Sequence, residues 1–247
     1  MEDEEYRRLF EVERVHWFYS GKREIAHLLI SRFFPGRGIR HLDAGCGSGL
    51  MTRELSRTHR SFGVDSSSSS LIHAKQIRSA FGSMESLPFE SDAFDCTTSF
   101  DVLEHLEDDR RALGELIRVT RPGGFIFINV PAFTCLWSDW DEALHHKRRY
   151  TKQTFSRIIA LEDAAPQSLF YLNSFLFFPI LIYRCVKRLF PRIFSNRLED
   201  VVFSPRVNAL LQDLFVAPVR WNLRFLPFGT SLFVILKKRD QDPSLLR

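Results

Sequence analysis

The stretch His-Leu-Asp-Ala-Gly-Cys-Gly-Ser-Gly, residues 41–49, decides the fold of this 247-residue chain. Its apolar start predicts a short buried strand, and its three glycines predict a tight turn. Residues 50–59 then carry the pattern of a helix. Glycines between a strand and a helix let the backbone turn sharply and let a ligand approach the main-chain N–H groups. The stretch therefore predicts the first strand, turn and helix of a nucleotide-binding sheet.

Strand and helix patterns alternate along the first half of the chain and become less regular in the second half. Strands that alternate with helices of this length indicate a mostly parallel sheet with helices on both faces. The predicted helices cover residues 4–34, 50–59, 69–80, 101–120, 150–162 and 206–223, and the predicted strands cover 38–45, 61–65, 93–100, 125–130, 167–172 and 231–238.

Charge is distributed unevenly along the chain. Residues 1–146 carry 17 basic and 23 acidic side chains, whereas residues 147–247 carry 17 basic and 7 acidic ones. A basic second half suits an acidic substrate, a membrane surface or a nucleic acid, but it is also typical of a solvated basic face. The four cysteines form no CxxC pair, which favours a reducing, cytoplasmic location, and residues 1–10 lack the apolar core of a secretory signal.

A second acidic residue, Asp65, ends the next predicted strand. A carboxylate at this place can accept both hydroxyls of a ribose, which favours a nucleotide site over a purely structural turn. The dinucleotide fingerprint GxGxxG is not met, because Leu50 stands where its third glycine belongs, and no GxxxxGK[ST] phosphate loop is present. A nicotinamide oxidoreductase is therefore disfavoured.

Residues 43–49 resemble instead the first motif, (D/E)xGxGxG, of the class I S-adenosylmethionine-dependent methyltransferases. Four further stretches resemble that family's motifs in the same order: VDSS at 64–67, GSMESLPFESDAFD at 82–95, SFDVLEHLED at 99–108 and RPGGFIFINVP at 121–131. The nearest group is the small-molecule methyltransferases called type 11. The resemblance implies a Rossmann-like α/β fold with a seven-stranded, mostly parallel sheet, S-adenosylmethionine as the cofactor, S-adenosylhomocysteine as the product, and no metal.

The resemblance also implies roles for individual residues. Gly45 and Gly47 would face the methionine part of the cofactor, Asp65 the ribose hydroxyls, and Ser83 and Met84 the adenine. The family usually has an aspartate where Ser83 stands, so this serine departs from the pattern. The implied cofactor site consists of Asp43, Gly45, Cys46, Gly47, Asp65, Ser66, Ser83, Met84, Phe100 and Asp101.

The stretch WSDWDEALHHKRRYT, residues 137–151, follows the last strand of this region and resembles a segment of one subgroup of these enzymes. We expect it to lie beside the transferred methyl group, because ligands bind at the carboxyl ends of the strands. In this hypothesis Asp141 orients His146, His146 takes a proton from the acceptor, and a neighbouring arginine binds an acidic group. The residues expected to contact the acceptor are Trp17, Phe18, Arg148, Arg149 and Tyr150.

His105 is a second candidate for the catalytic base, with a structural or cofactor-side role as its alternative. A zinc site in residues 137–151 is disfavoured, because the adjacent His145 and His146 point different ways and no cluster completes four ligands. Nucleic acid is disfavoured as the substrate, because residues 99–102 read SFDV where base-amino methyltransferases have (D/N)PP(Y/F). A solvated loop stays open as an alternative.

Residues 169–183, LFYLNSFLFFPILIY, are apolar but fewer than the roughly 20 residues of a membrane span. Continued to residue 190, the stretch predicts a helix with Arg184, Lys187 and Arg188 on one side and apolar residues on the other. Such a helix could pack within a lid over the acceptor, lie in a membrane interface, or bind a lipid-linked acceptor.

We therefore predict one methyltransferase domain over residues 1–247, with a cofactor-binding core at 38–131. A cap over the acceptor covers 1–34 and 132–230 and includes the apolar insertion 169–190. The predicted activity is methyl transfer to oxygen or nitrogen of a small-molecule or lipid-linked acceptor, with an acidic group as one option, by a cytoplasmic protein that could contact a membrane peripherally. A non-catalytic binding protein on this fold and an RNA or DNA methyltransferase are the alternatives.

Overall fold

A central sheet organises the chain, and the glycine turn directly follows its first strand. The computed structural model describes residues 12–36, 38–74, 77–190, 202–222 and 226–240. Within these ranges the sheet has seven strands: β1 (Arg40–Ala44), β2 (Arg60–Asp65), β3 (Arg78–Phe81), β4 (Phe94–Phe100), β5 (Thr120–Pro131), β6 (Ala164–Leu172) and β7 (Ser231–Lys238).

The strands lie in the order β3-β2-β1-β4-β5-β7-β6. The first five are parallel to one another, and β7 runs antiparallel between β5 and β6. The prediction of a Rossmann-like, seven-stranded, mostly parallel sheet is confirmed. Because parallel strands end at the same edge of a sheet, the carboxyl ends of β1, β2 and β4 meet there and form a crevice for a ligand.

Helices cover both faces of the sheet, and each face has its own apolar core. The described helices of more than one turn are α1 (Trp17–Phe33), α2 (Leu50–Leu55), α3 (Ser68–His73), α4 (Asp109–Val119), α5 (Asp139–Ala143), α6 (Lys152–Ile159), α7 (Phe177–Leu189) and α8 (Pro205–Arg220). On one face α1, α2 and α8 pack on the strands through residues such as Leu29, Phe127 and Phe215. On the other face α4 and α6 pack through Leu113 and Phe155.

The helix predicted over residues 69–80 is wrong in its second half. The helix α3 ends at His73, and Arg78–Phe81 forms the edge strand β3, which pairs in parallel with β2. Pairing with a neighbouring strand decides the structure here, although the local pattern is helical. This strand completes the seven that the family resemblance implied and that the local patterns did not supply.

The helix predicted over residues 101–120 begins later than expected. A short 3-10 turn at Leu103–His105 follows β4, and α4 starts only at Asp109. The side chain of Asp108 accepts a hydrogen bond from the backbone N–H of Arg111 at 2.9 Å and so caps the new helix. The turn before this cap places the side chains of residues 103–105 at the end of the sheet.

The N-terminal helix predicted over residues 4–34 is divided in the structure. Residues 4–11 lie outside the described part of the chain, residues 12–15 are helical, and His16 has extended backbone angles (φ −75°, ψ 131°). The Nδ1 atom of His16 accepts a hydrogen bond from the backbone N–H of Phe18 at 3.2 Å. His16 therefore acts as the N-cap of α1.

The apolar stretch 169–190 is not a single insertion, which corrects the sequence-based expectation. Its first four residues complete β6 and pair with β7. Asn173 then adopts a left-handed conformation (φ 59°), and α7 follows after a short 3-10 turn. The cap predicted over 132–230 thus also supplies a strand of the sheet. In the described part of the chain, no helix combines the length and apolar character that crossing a membrane requires.

Candidate active site

A cavity of about 790 Å³ opens at the carboxyl ends of β1, β2 and β4. The glycine turn, the start of α1, the segments after β4 and β5, and the start of α7 form its walls. Parts of the chain that are distant in sequence thus meet where open α/β sheets bind ligands. The sequence-predicted site residues that line the cavity are Trp17, Phe18, Asp43, Gly45, Cys46, Gly47, Asp65, Ser66, Met84, Phe100, Asp101, His105, His146 and Arg149.

The glycine turn is tightly packed on one side and open on the other. Gly45 has a φ of +83°, and a Cβ on it would lie 2.2 Å from Cγ2 of Val102. Gly47 has a φ of +51°, and a Cβ on it would meet no atom of the described residues within 4 Å. Since Gly47 also lines the cavity, its backbone can be approached closely by a ligand.

Two carboxylates stand at the ends of β1 and β2. Asp43 is buried and accepts hydrogen bonds from Oγ1 of Thr52 at 2.6 Å and Oγ1 of Thr98 at 3.2 Å. Burial raises the pKa of Asp43 to about 7 in spite of these bonds. Asp65 accepts two backbone N–H bonds at 2.8 Å, one of them from Gly47, and burial raises its pKa as well. The bond between Asp65 and Gly47 fixes the end of β2 to the glycine turn.

Apolar side chains line the same cavity as these carboxylates. Met84 is buried in the cavity wall, and Phe100 packs edge-on against Phe233 with ring centroids 5.5 Å apart. Ser83 does not line the cavity, because its hydroxyl accepts a hydrogen bond from the backbone N–H of Glu85 at 3.1 Å within a local turn. This corrects the expectation that Ser83 and Met84 both border an adenine.

Asp101 follows β4 with a left-handed backbone (φ +56°) and carries the next charge along the wall. Its carboxylate accepts a hydrogen bond from Nδ2 of Asn129 at 2.7 Å and forms an ion pair with Lys22. The buried Lys22 also lies 3.8 Å from the centroid of the Phe18 ring. Sequence analysis missed Lys22, because a lysine within a predicted helix is ordinarily placed on its solvent face.

His105 and His146 form a pair of imidazoles in the cavity wall. Their ring centroids are 4.6 Å apart, and the ring planes cross at 84°. Nδ1 of His146 lies 2.9 Å from Oδ1 of Asp141. We assign the proton to this Nδ1, because an ionised carboxylate only accepts, and Nε2 then has a lone pair. Burial and the neighbouring His146 lower the pKa of His105 to about 4.

Asp141 lies behind the histidine pair and is fully buried. It accepts hydrogen bonds from Nε and Nη2 of Arg149 at 2.7 and 2.9 Å and from the backbone N–H of Ser138 at 2.8 Å. Burial alone would raise the pKa of Asp141, but the bonds from His146 and Arg149 hold it well below its usual value. The Asp141 carboxylate is therefore anionic and fixes the orientation of His146.

Residues 148–150, which were expected to contact the acceptor, have partners within the protein. Arg149 lines the cavity but directs its guanidinium at Asp141. Arg148 pairs with Asp109 at 3.0 Å, and the hydroxyl of Tyr150 donates to the same carboxylate at 2.8 Å. Neither Arg148 nor Tyr150 lines the cavity, which corrects the sequence-based expectation. These two side chains instead anchor their segment to the start of α4.

Glu104 is a cavity residue that sequence analysis did not single out. It is fully buried, and neither of its carboxylate oxygens has a hydrogen-bond partner among the described residues. Burial raises the pKa of Glu104 to about 8, against the opposing charges of Lys22 and Arg149. Nothing in the local sequence distinguishes this glutamate from the exposed Glu107 three residues later. Glu104 is buried because it lies in the 3-10 turn before α4, and that turn exists because α4 begins only after its N-cap residue, Asp108.

The remaining wall of the cavity is apolar and comes from two helices. Trp17 and Phe18 of α1, Pro179 and Ile180 of α7, and Leu176 before α7 all line the cavity. The ring of Phe18 lies 5.6 Å from that of Trp17, centroid to centroid. An acceptor bound here would meet hydrocarbon on one side and the polar residues of the sheet edge on the other.

The outer face of α7 differs from the sequence-based helical wheel. Ile182 and Leu189 are 62% and 74% exposed, whereas Arg184 is buried and lines the cavity. Nζ of Lys187 forms an ion pair with Asp139 at 2.9 Å. The three cations, which the sequence placed on one side of the helix, thus differ in exposure: Arg184 is buried, Lys187 is partly buried and Arg188 is exposed, as are Ile182 and Leu189.

Comparison with known proteins gives the family context. Residues 42–128 match the family model described as "Methyltransferase domain". Over 113 residues the chain is 34% identical to malonyl-[acyl-carrier protein] O-methyltransferase of Erwinia pyrifoliae. The aligned region covers 44% of this chain and 43% of that protein. The chain therefore spans less than half the length of this relative.

Solved structures resemble the chain over most of its length. A chain of the Haloferax volcanii complex between the Trm112 methyltransferase activator and a methyltransferase aligns with a TM-score of 0.64 and 17% identity, covering 97% of this chain and 96% of that one. Geranyl diphosphate methyltransferase in complex with S-adenosylmethionine aligns with a TM-score of 0.57 and 16% identity, covering 87% and 85%. At these identities the likeness shows the fold.

Proposed function

We propose that this protein transfers a methyl group from S-adenosylmethionine to an acceptor. The reason is that residues 42–128 belong to the class I S-adenosylmethionine-dependent methyltransferases. The acceptor is a small or lipid-linked molecule that offers an oxygen or a nitrogen. The observation that carries the proposal is a single cavity that joins the glycine turn to the histidine pair, His105 and His146. A cofactor and an acceptor bound in this cavity would be close enough to react.

The residues at the sheet edge fit S-adenosylmethionine. Gly47 offers open backbone to the methionine part, Asp65 stands where ribose hydroxyls need an acceptor, and Met84 offers an apolar surface to the adenine. When bound, S-adenosylmethionine supplies a methyl group on a positively charged sulfur. The work left to the protein is then mainly to align the acceptor with that methyl group and to exclude water.

The histidine pair supplies a proton acceptor for a hydroxyl substrate. Asp141 holds Nδ1 of His146, so that Nε2 can take the proton of an acceptor hydroxyl as the new bond forms. His105 is kept neutral by burial and adds no positive charge beside it. An amine acceptor that arrives unprotonated needs no such base, which is why both kinds of acceptor remain within the proposal.

The walls of the cavity support an acceptor with an apolar body and an acidic group. Trp17, Phe18 and Ile180 offer hydrocarbon and aromatic surface, and the buried Arg184 offers a cation at the same wall. The names of the relative and of the solved neighbour, a malonyl-[acyl-carrier protein] methyltransferase and a geranyl diphosphate methyltransferase, also denote acidic acceptors. Neither name fixes the acceptor of this protein.

The exposed apolar side of α7 supports a further part of the proposal, peripheral contact with a membrane. Ile182 and Leu189 lie outside, on the helix whose inner side lines the cavity. A lipid-linked acceptor could then enter from the membrane without crossing water. Because Arg184 is buried and Lys187 pairs with Asp139, we expect this contact to depend more on apolar burial than on lipid charge.

The test is a labelling experiment with methyl-labelled S-adenosylmethionine. The protein is incubated with a total cell extract, and label is then measured in the small-molecule and lipid fraction, in nucleic acid and in protein. We expect label in small molecules or lipids. If the labelled acceptor carries the methyl group on oxygen, His146→Ala should leave it unlabelled, whereas an acceptor methylated on nitrogen should still be labelled. Label confined to nucleic acid would favour the polymer alternative, and tight cofactor binding with no label anywhere would favour a non-catalytic binding protein.

A further inference from the structure

Three side chains in the cavity wall carry a second kind of chemistry. Glu104, His105 and His146 each offer one ligand atom, and these atoms all lie within 4.8 Å of one another. We infer that the three side chains form a binding site for a divalent transition-metal ion such as Zn²⁺. The three residues are separated by one position and by 41 positions along the chain, and only the turn after β4 and the loop after α5 bring them together.

The unpaired carboxylate oxygens of Glu104 point to a bound cation. Its side chain is fully buried, and both carboxylate oxygens lack a hydrogen-bond partner among the described residues. Buried polar groups are nearly always satisfied, so a buried carboxylate with two open oxygens requires a missing partner. The charged groups that act on it are Lys22, Arg149 and Asp141, and all three are already engaged in the pairs Lys22–Asp101 and Arg149–Asp141.

The two histidines are oriented as metal ligands usually are. Nδ1 of His146 is held by Asp141 at 2.9 Å, which leaves Nε2 to bind an ion. The backbone of Leu144 favours a proton on the ring of His105, as a carbonyl beside one ring nitrogen does. Metal-bound histidines ordinarily have such a carboxylate or carbonyl partner on the other ring nitrogen, because it sets the tautomer and the ring direction.

The chemistry of the ligand set selects the ion. Two imidazole nitrogens and one carboxylate suit Zn²⁺, Co²⁺ or Fe²⁺, whereas Mg²⁺ and Ca²⁺ prefer oxygen ligands only. Ligand atoms bound to Zn²⁺ lie roughly 3.3 Å apart in a tetrahedral site. The side chains therefore have to close by about 1.5 Å, a distance that side-chain rotation covers without movement of the backbone. Since all three side chains line the cavity, an ion held by them could take water or an acceptor as a further ligand.

The consequence for turnover rests on the proposed function. Nε2 of His146 cannot hold a metal ion and accept a proton at the same time. With the ion bound, an acceptor hydroxyl that binds it as a further ligand would have its pKa lowered by the ion, and its proton would pass to solvent. The metal site and the base are thus two states of the same residues, and the metal-loaded state does not need the imidazole as a base.

The test is a titration of the full-length, metal-stripped protein with Co²⁺, followed by visible absorption and calorimetry. We expect one ion per chain, with the intense visible bands of four-coordinate Co²⁺ and without the near-ultraviolet band that cysteine sulfur would add. The variants Glu104→Gln and His105→Ala should each weaken binding at least about 30-fold. His145→Ala, which removes the neighbouring histidine outside the cluster, is the matched control and should leave the affinity unchanged.

Thermal unfolding of the metal-stripped protein separates loss of a ligand from loss of the fold. Glu104→Gln keeps the shape of the side chain and replaces a buried titratable carboxyl by a neutral amide, so we expect its melting temperature to equal or exceed that of the parent. Absence of Co²⁺ binding below millimolar concentration, or equal binding by Glu104→Gln and the parent, would overturn the inference. A Co²⁺ site in a protein that ignores S-adenosylmethionine would overturn only the proposed function, and tight cofactor binding without a Co²⁺ site only this inference.

Discussion

Removal of Asp141 is the perturbation whose effect the structure defines most closely. This carboxylate is fully buried and accepts five hydrogen bonds, from the side chains of His146 and Arg149 and from the backbone and hydroxyl of Ser138. The Arg149 side chain is only 6% exposed, so Asp141→Ala leaves a buried cation without its counter-charge. Breaking one partner of such a pair costs about 3–5 kcal/mol of unfolding free energy.

For a domain of this size the loss corresponds to a fall in melting temperature of roughly 6–20 °C. Urea unfolding, with the slope checked for change, measures the free energy directly. The double variant Asp141→Ala/Arg149→Met also removes the stranded cation, so we expect it to recover part of the loss. Glu107→Ala is the control, because Glu107 forms a surface pair with Lys147 and its side chain is 79% exposed; it should leave the melting temperature unchanged.

The reasoning is refuted if Asp141→Ala costs less than about 1 kcal/mol, the usual size of a surface ion pair. It also fails if the double variant is as unstable as the sum of the two single variants, because a coupled pair must show an interaction energy. Either result would favour a solvated segment over residues 137–151, which is the alternative that the sequence left open.

Three other predictions concern the cavity. His146→Ala should abolish turnover of a hydroxyl acceptor while calorimetry still detects cofactor binding, and near-normal turnover would remove the base assignment. Gly47→Ala should weaken cofactor binding and cost only the roughly 1–2 kcal/mol of a side chain at positive φ. Gly45→Ala should cost more stability, because its Cβ would also lie 2.2 Å from Cγ2 of Val102; equal losses of stability in the two variants would contradict a turn that is open at Gly47 and packed at Gly45. Asp43 should contribute a pH dependence to the free energy of unfolding, a stabilisation that is lost as pH rises from about 4 to 7, because folded Asp43, with its pKa raised to about 7, keeps a proton that the unfolded chain releases near pH 4. The lowered pKa of His105 contributes the opposite dependence over this range, so the comparison of parent and variant isolates the Asp43 part. Urea unfolding of Asp43→Asn should show that dependence reduced by up to about 4 kcal/mol, and an unchanged dependence would contradict the raised pKa.

The parts of the fold that depend on local pattern were predictable from the sequence. The strand, glycine turn and helix at residues 41–55 and the last strand at 231–238 follow from apolar periodicity and from glycines that need a positive φ. The strand β3 was not predictable in this way, because residues 78–81 depend on pairing with β2 and not on their own pattern. Family resemblance supplied the strand number that periodicity could not.

The candidate site was predictable where one motif carries it. Asp43, Gly47 and Asp65 lie together at the cavity because each ends a strand or begins a turn of a parallel sheet. The contacts of Arg148 and Tyr150 with Asp109 were not predictable, because the type of a side chain does not show which carboxylate it will meet.

The residues that sequence analysis missed have a common cause. Lys22 and Glu104 are buried charges, and ordinary statistics place lysine and glutamate on the surface. Their burial depends on contacts between α1, the turn after β4 and the loop after α5, which lie far apart in the sequence. A charged residue that folding places in a cavity is therefore visible only in three dimensions.

The central claim is that the cavity at the ends of β1, β2 and β4 binds an adenosyl sulfonium. Calorimetric titration of the purified protein with S-adenosylmethionine, S-adenosylhomocysteine and NAD tests this claim most directly. The account predicts one site per chain for the first two compounds, with micromolar dissociation constants, and no binding of NAD. No heat of binding from either sulfur compound at millimolar concentration, or preferential binding of NAD, would contradict it.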